Sequence, residues 1–269
     1  MEFFSYKYKN REDDYEDPRR EFLVRALTMG LFAAGGPMAL AGCASDALGR
    51  RPHELPPGQS IYRARGDVRV NGVTAKHDTF IAPDASLETG SNSELVFVVG
   101  KDAFMMRENS QVELAPLLAG GGGGGGVLDS VTGSILGNLR LLSGKILSVF
   151  GHRTGDESLS LHTPTATVGI RGTGVYMEGY RDRSYVCTCY GSTQITATND
   201  PAASEIVTTT HHNAPKYILG EGPTSQRIEP APVINHTDME LLLITALVGR
   251  TPPFAVSGSG YGAPRKISY

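Results

Sequence analysis

Leu139-Arg140-Leu141-Leu142-Ser143-Gly144-Lys145-Ile146-Leu147-Ser148-Val149-Phe150 decides the fold class. Two apolar runs of strand length, Leu139 to Leu142 and Lys145 to Phe150, flank a Ser-Gly joint with the chemistry of a hairpin or corner. The pattern repeats outward in both directions. Before it come Asp67 to Val70, Leu95 to Val99, Ala103 to Met106 and Gln111 to Leu114. After it come Leu159 to His162, Gly174 to Glu178, Ser184 to Tyr190 and Thr193 to Ala197. Val70-Asn71-Gly72 and Val99-Gly100-Lys101-Asp102 read as further tight joints. Short strands at this spacing, with no helix between them, predict an all-β roll, sandwich or solenoid.

One helix is expected at the C-terminal end, over 237–248. Thr237 and Glu240 have capping-box spacing, Asn235 is a second candidate cap, and Gly249 ends the run. Leu241, Leu242, Ile244, Ala246, Leu247 and Val248 make it apolar around most of its circumference, so it must dock on a sheet or a partner. Pro252-Pro253-Phe254 and a Gly/Ser-rich end follow as a tail, with Phe254 placed to staple back onto the helix. The glycine run Gly120 to Gly126 has no side chain to bury and reads as a surface loop. No Lys-Ser/Thr pair follows it, which argues against nucleotide binding.

The N-terminal segment has a different character. Arg19-Arg20-Glu21-Phe22-Leu23 precedes an apolar stretch from Ala26 to Ala41, which is too short and too rich in Gly and Pro to span a bilayer stably. Leu40-Ala41-Gly42-Cys43 closes it. The pair resembles a bacterial twin-arginine export signal ending in a lipoprotein lipobox. The resemblance implies removal of residues 1–42 and lipidation of Cys43. It also implies export of an already folded protein, tethered to a membrane from the periplasmic side. Ala44-Ser45, with no Asp after the lipid site, resembles the default for the outer rather than the inner membrane. The expected organisation is a signal peptide over 1–42, a linker over 43–60, a β domain over 61–198 and an extension over 199–269.

The formal net charge of -3 and the absence of tryptophan exclude a basic stripe for nucleic acid and a large stacking site. No Gly-x-Ser-x-Gly elbow and no His-Glu-x-x-His helix occurs, so no enzyme is expected. A thiol-dependent enzyme, with Cys187 or Cys189 beside His211, is the remaining catalytic alternative.

From Gly66 to about Ala197 the chain resembles the FecR domain. The matching pieces are Gly66-Asp67-Val68-Arg69-Val70-Asn71-Gly72, Leu87-Glu88-Thr89-Gly90-Ser91-Asn92-Ser93-Glu94-Leu95 and Asn109-Ser110-Gln111-Val112-Glu113-Leu114. Leu142-Ser143-Gly144-Lys145-Ile146 and Thr163-Pro164-Thr165-Ala166-Thr167-Val168-Gly169-Ile170-Arg171-Gly172-Thr173-Gly174 complete the set. The resemblance implies an all-β periplasmic module that binds, senses or scaffolds. Its partner would be an envelope protein or a glycan, and the lipid anchor would hold it at the membrane. The anti-sigma segment and transmembrane helix of the founding regulators have no counterpart here. Gly169, Arg171, Gly172 and Thr173 read as a tight structural corner pinned by the arginine.

Cys187-Thr188-Cys189 is the sharpest local feature. Residues two apart on a strand share a face, so both thiols point the same way. Such a pair suits one soft metal ion, thiol redox chemistry or plain packing. His211-His212 and His236, the last next to Asp238, lie downstream. Two thiolates with one or two imidazoles make a set for zinc or copper. In an extended chain His211 and His212 face opposite ways, so one of them at most is expected to be a ligand.

Overall fold

The computed structural model describes residues 55, 59–117, 136–151 and 159–255, except for the Arg171 side chain. The expected signal segment with Arg19 and Arg20, Cys43, most of the expected linker and the glycine run lie outside the described residues. The rest is the expected all-β body with one helix. Its strands are β1 (Ile61–Arg65), β2 (Val68–Val70), β3 (Val73–Thr74), β4 (Ser86–Thr89), β5 (Glu94–Val99), β6 (Asp102–Met106) and β7 (Ser110–Pro116). Then come β8 (Leu136–Val149), β9 (Leu159–His162), β10 (Ala166–Gly179), β11 (Arg183–Ala197), β12 (Asp200–Thr209), β13 (Lys216–Leu219) and β14 (Ile228–Pro230). The helix α1 (Asp238–Leu247) follows.

The strands form one continuous sheet in a barrel-like arrangement. Its main path runs β14-β13-β11-β10-β9-β8-β7-β4-β2-β3, with β1-β5-β6 joining at β8 and β12 at β11. Strands on both sides of residue 198 belong to it, because β12 pairs with β11 from Gly191↔Thr209 to Ala197↔Asp200. The joint at Asn71-Gly72 is a hairpin as expected: both residues have positive φ, 52° and 76°, and Val70 pairs with Val73. The joint before Asp102 is also a hairpin, with Val99 opposite Asp102.

Leu142-Ser143-Gly144-Lys145 is neither hairpin nor corner. The chain continues through it, without reversing, as the single 14-residue strand β8. Gly144 (φ 88°) marks the place where β8 changes partners, from β7 and β9 on its N-terminal side to β6 and β10 on its C-terminal side. The corner expected at Gly169–Gly174 is likewise a bulge within β10, not a reversal. There β10 passes from β9 (Ile170↔Leu159) to β8 (Gly174↔Val149), with Gly172 at φ 60°. Gly191 (φ 90°) plays the same part in β11, between the stretch paired with β13 and the stretch paired with β12. Long strands that bend and change neighbours are how one sheet folds over on itself. At two of the bends the glycine is also required by space. A Cβ on Gly144 would lie 2.4 Å from Ser110 Cα, and one on Gly191 would lie 2.8 Å from Thr173 Cβ.

Alternation along these strands feeds two apolar clusters. Val186 of β11, with Val175 and Met177 of β10, enters the core enclosed by the sheet. Tyr185, Cys187 and Cys189, with Tyr176, face the other way, into a second cluster closed by Leu241, Leu243, Ile244 and Leu247 of α1. Each large apolar side chain so buried contributes about 1.5–3 kcal/mol. Thr237 caps α1 and forms the full capping box with Glu240. Among the described residues no helix is long and apolar enough to cross a membrane.

Candidate metal centre

The pleat of β11 sets the two thiols on one face, and the chain then returns to them twice. The first return is the turn after β12. His212 has φ 49°, a left-handed conformation uncommon for a residue with a side chain, and its N–H donates to the Cys189 carbonyl at 2.9 Å. The second return is the segment entering α1, which delivers His236. The ligand atoms of Cys187, Cys189, His212 and His236 all lie within 4.8 Å of one another. Donors around a tetrahedral zinc stand about 3.3–3.8 Å apart, so a modest contraction completes the set. The four residues are buried, with relative exposures of 0, 0, 3 and 1%.

Hydrogen bonds tie these side chains to one another and to the backbone. The Ile234 carbonyl can only accept, so His236 Nδ1–H donates to it at 2.6 Å. His236 Nε2 faces His212 Nδ1 at 3.0 Å. His212 Nε2–H donates to Asp238 Oδ1 at 3.0 Å. Burial pulls the His212 pKa down, but bonds to Asp238 and Cys187 outweigh burial and raise it to about 9. His212 Nδ1 is also 3.4 Å from Cys187 Sγ. Burial alone would raise the Cys187 thiol, yet hydrogen bonds from Cys189, His212 and His236 hold it well below the ordinary thiol range. Burial and the neighbouring Cys187 push Cys189 well above that range, and its S–H donates to the Cys187 carbonyl.

Supports around it hold the histidines in place. A carboxylate behind one imidazole and a carbonyl behind the other are the supports that histidine ligands of a metal commonly have. Tyr176 stacks on His236, with ring centroids 4.4 Å apart. The Asn235 amide donates to Glu178 at 2.7 Å, and Tyr176 and Tyr180 hydroxyls donate to the same buried carboxylate. Arg107 reaches both Glu240 (2.6 Å) and the Asn235 carbonyl (3.3 Å), tying the helix entry to the end of β6. Phe254 packs against the His211 ring at 4.7 Å, so the C-terminal return closes over the histidine turn.

The expected site residues therefore divide. Cys187, Cys189, His212 and His236 come together. The positive φ at His212 breaks the extended geometry, so His211 and His212 both reach Asp238 instead of facing apart. Gly169, Gly172 and Thr173 lie at the β10 bulge. Asn235 and Glu178 carry no sequence signal for their supporting part. The Cys187–His212–Asp238 contacts also have the order of a nucleophilic triad, but a thiol with no exposure favours metal coordination over attack on an external substrate.

Fold and cluster together define an all-β protein with a buried Cys/His group. No protein-family model matches the chain, and no curated protein matches it. Two crystal structures described as "putative anti-sigma factor" from Parabacteroides distasonis are similar to it. Each has a TM-score of 0.38 and 8% identity, and the match covers 50% of this chain and 55% of theirs. The chain thus spans about half the length of those structures, and similarity at that level carries no functional argument.

Proposed function

We propose that the protein is a metal-holding module of the bacterial envelope, with zinc or copper(I) bound by Cys187, Cys189, His212 and His236. The observation that carries this reading is the convergence of four buried ligand atoms from three separate chain segments within 4.8 Å. Two soft sulfurs and two borderline nitrogens match those ions and discriminate against magnesium and calcium. The ion would bridge β11, the turn after β12 and the entry to α1, fastening the helix over the outer apolar cluster. Burial on all sides fits a resident ion better than a passing one.

The FecR-like segments and the twin-arginine and lipobox motifs support placing this module on the periplasmic side of a membrane. It would be anchored through Cys43, with an envelope protein or glycan as partner. Folding before export would allow the ion to be loaded in the cytoplasm, where thiols stay reduced.

Metal analysis of the full chain, purified without chelators, tests the proposal. Close to one ion per chain is expected in the wild type and little in Cys187→Ser and Cys189→Ser. Metal content below about 0.1 per chain in the wild type would refute it. Intact-mass measurement of the membrane fraction tests the anchor: the expected species begins at a lipid-bearing Cys43, and an unmodified chain starting at Met1 contradicts it.

A further inference from the structure

We infer that His211, His212 and Asp238 form a second, outer metal site, which shares the His212 ring with the buried centre and in that respect rests on the function proposed above. Consecutive side chains of an extended chain diverge, yet these two imidazoles meet one oxygen. His211 Nε2 is 2.8 Å and His212 Nε2 3.0 Å from Asp238 Oδ1. The left-handed φ of 49° at His212 brings this about, and uncommon backbone conformations concentrate where side chains must be aimed. The same conformation leaves His212 Nδ1 directed at Cys187 and His236. One ring therefore serves two clusters, one through each nitrogen.

The spacing suits an ion. Two donors each 2.0–2.1 Å from a tetrahedral ion lie about 3.3 Å apart, so a widening of about 0.3–0.5 Å admits one between each imidazole and the carboxylate. As hydrogen-bonded here, those contacts are two N–H groups donating to a carboxylate, and an ion at the site takes the place of the two protons. Both protons pass to solvent, both Nε2 lone pairs go to the ion, and His212 becomes an imidazolate bridging two metals. The side chains of His211 and Asp238 are 18% and 10% exposed, whereas every inner ligand is buried. Three protein donors with water completing the shell describe an open, exchangeable position, unlike the closed inner one. Two imidazoles and one carboxylate select zinc(II) or copper(II) over calcium or magnesium.

Cobalt(II) titration of the reduced full chain tests this, because thiolate-to-cobalt absorption reports only the inner site while calorimetry counts all bound ions. The wild type should bind two equivalents, with the thiolate absorption complete after the first. His211→Ala, at a half-buried position, should bind one equivalent with that absorption unchanged, and Asp238→Asn should also lose the second. Saturation of the wild type at one equivalent, or two equivalents retained in His211→Ala, would overturn the inference while leaving the inner centre standing. Thiolate absorption missing at every ratio would instead refute the inner centre. The outer site would then be upheld if His211→Ala bound one equivalent fewer than the wild type, and rejected if it did not.

Discussion

The Nδ1 of His212 lies 3.4 Å from the Sγ of Cys187, joining the turn after β12 to the middle of β11. This contact places a proton where the proposed ion needs a lone pair, and protons and metal must therefore compete. His212 holds its proton up to about pH 9, and the Cys189 thiol is held above its ordinary range as well. Zinc binding should release about two protons, and affinity should rise by about two decades per pH unit between pH 6 and 8. Calorimetry in buffers of different ionisation enthalpy measures the release. With chelator present the sign reverses. A histidine with a raised folded pKa stabilises fully below about pH 6.5, and that contribution is lost as pH climbs through about 9. Chemical denaturation with chelator should thus show stability falling toward pH 9, where zinc affinity is rising.

Removing the ion should loosen the helix side of the molecule. An ion at 1,000 times its dissociation constant adds about 4 kcal/mol, and each kcal/mol moves the midpoint of a domain this size by about 2–4 °C. A chelator strong enough to strip the site should lower the melting temperature by about 10 °C in the wild type. The Cys187→Ser variant should not respond.

Glu178 supports the His236 segment without touching the proposed ion. Its carboxylate accepts from Tyr176, Tyr180 and the Asn235 amide, three donors and no acceptor. Glu178→Gln turns an amide group toward one of those donors, at a cost of about 1–3 kcal/mol. Loss of the Asn235 tether should also weaken zinc binding by about 10- to 100-fold. Competition titration against a chromophoric chelator, alongside a denaturation curve, reads both effects. Unchanged affinity would show that the tether does not position His236.

Gly144 is where the sequence and the fold part company most plainly. A Ser-Gly joint between two apolar runs looks like a turn, because local chemistry permits one. Packing decides otherwise: β8 has to continue so that one end can pair with β7 and the other with β6. A side chain at position 144 would combine a φ of 88° with overlap against Ser110, so Gly144→Ala should cost about 2–4 kcal/mol. Denaturant unfolding of that variant beside the wild type measures the cost. A change below about 0.5 kcal/mol would contradict the close approach of Gly144 to Ser110.

Other parts of the fold were legible where local chemistry and packing agree. Alternating apolar runs and Asn-Gly chemistry exposed the all-β class and the first hairpin, and the Thr237/Glu240 spacing exposed the helix. Weakly apolar strands such as Ser86–Thr89 and Asp200–Thr209 gave no such signal, since only tertiary pairing makes them strands. At the candidate centre the Cys-x-Cys spacing guaranteed a shared face. The convergence of His211 and His212 depended on one left-handed residue, which no periodicity reveals. Glu178 and Asn235 lie 57 positions apart and meet only in the folded chain.

X-ray absorption at the zinc edge, on the full chain loaded with one equivalent of zinc, probes the centre itself. Two sulfurs at about 2.3 Å and two imidazole nitrogens at about 2.0–2.1 Å are expected. A shell of nitrogen and oxygen alone would contradict coordination by Cys187 and Cys189.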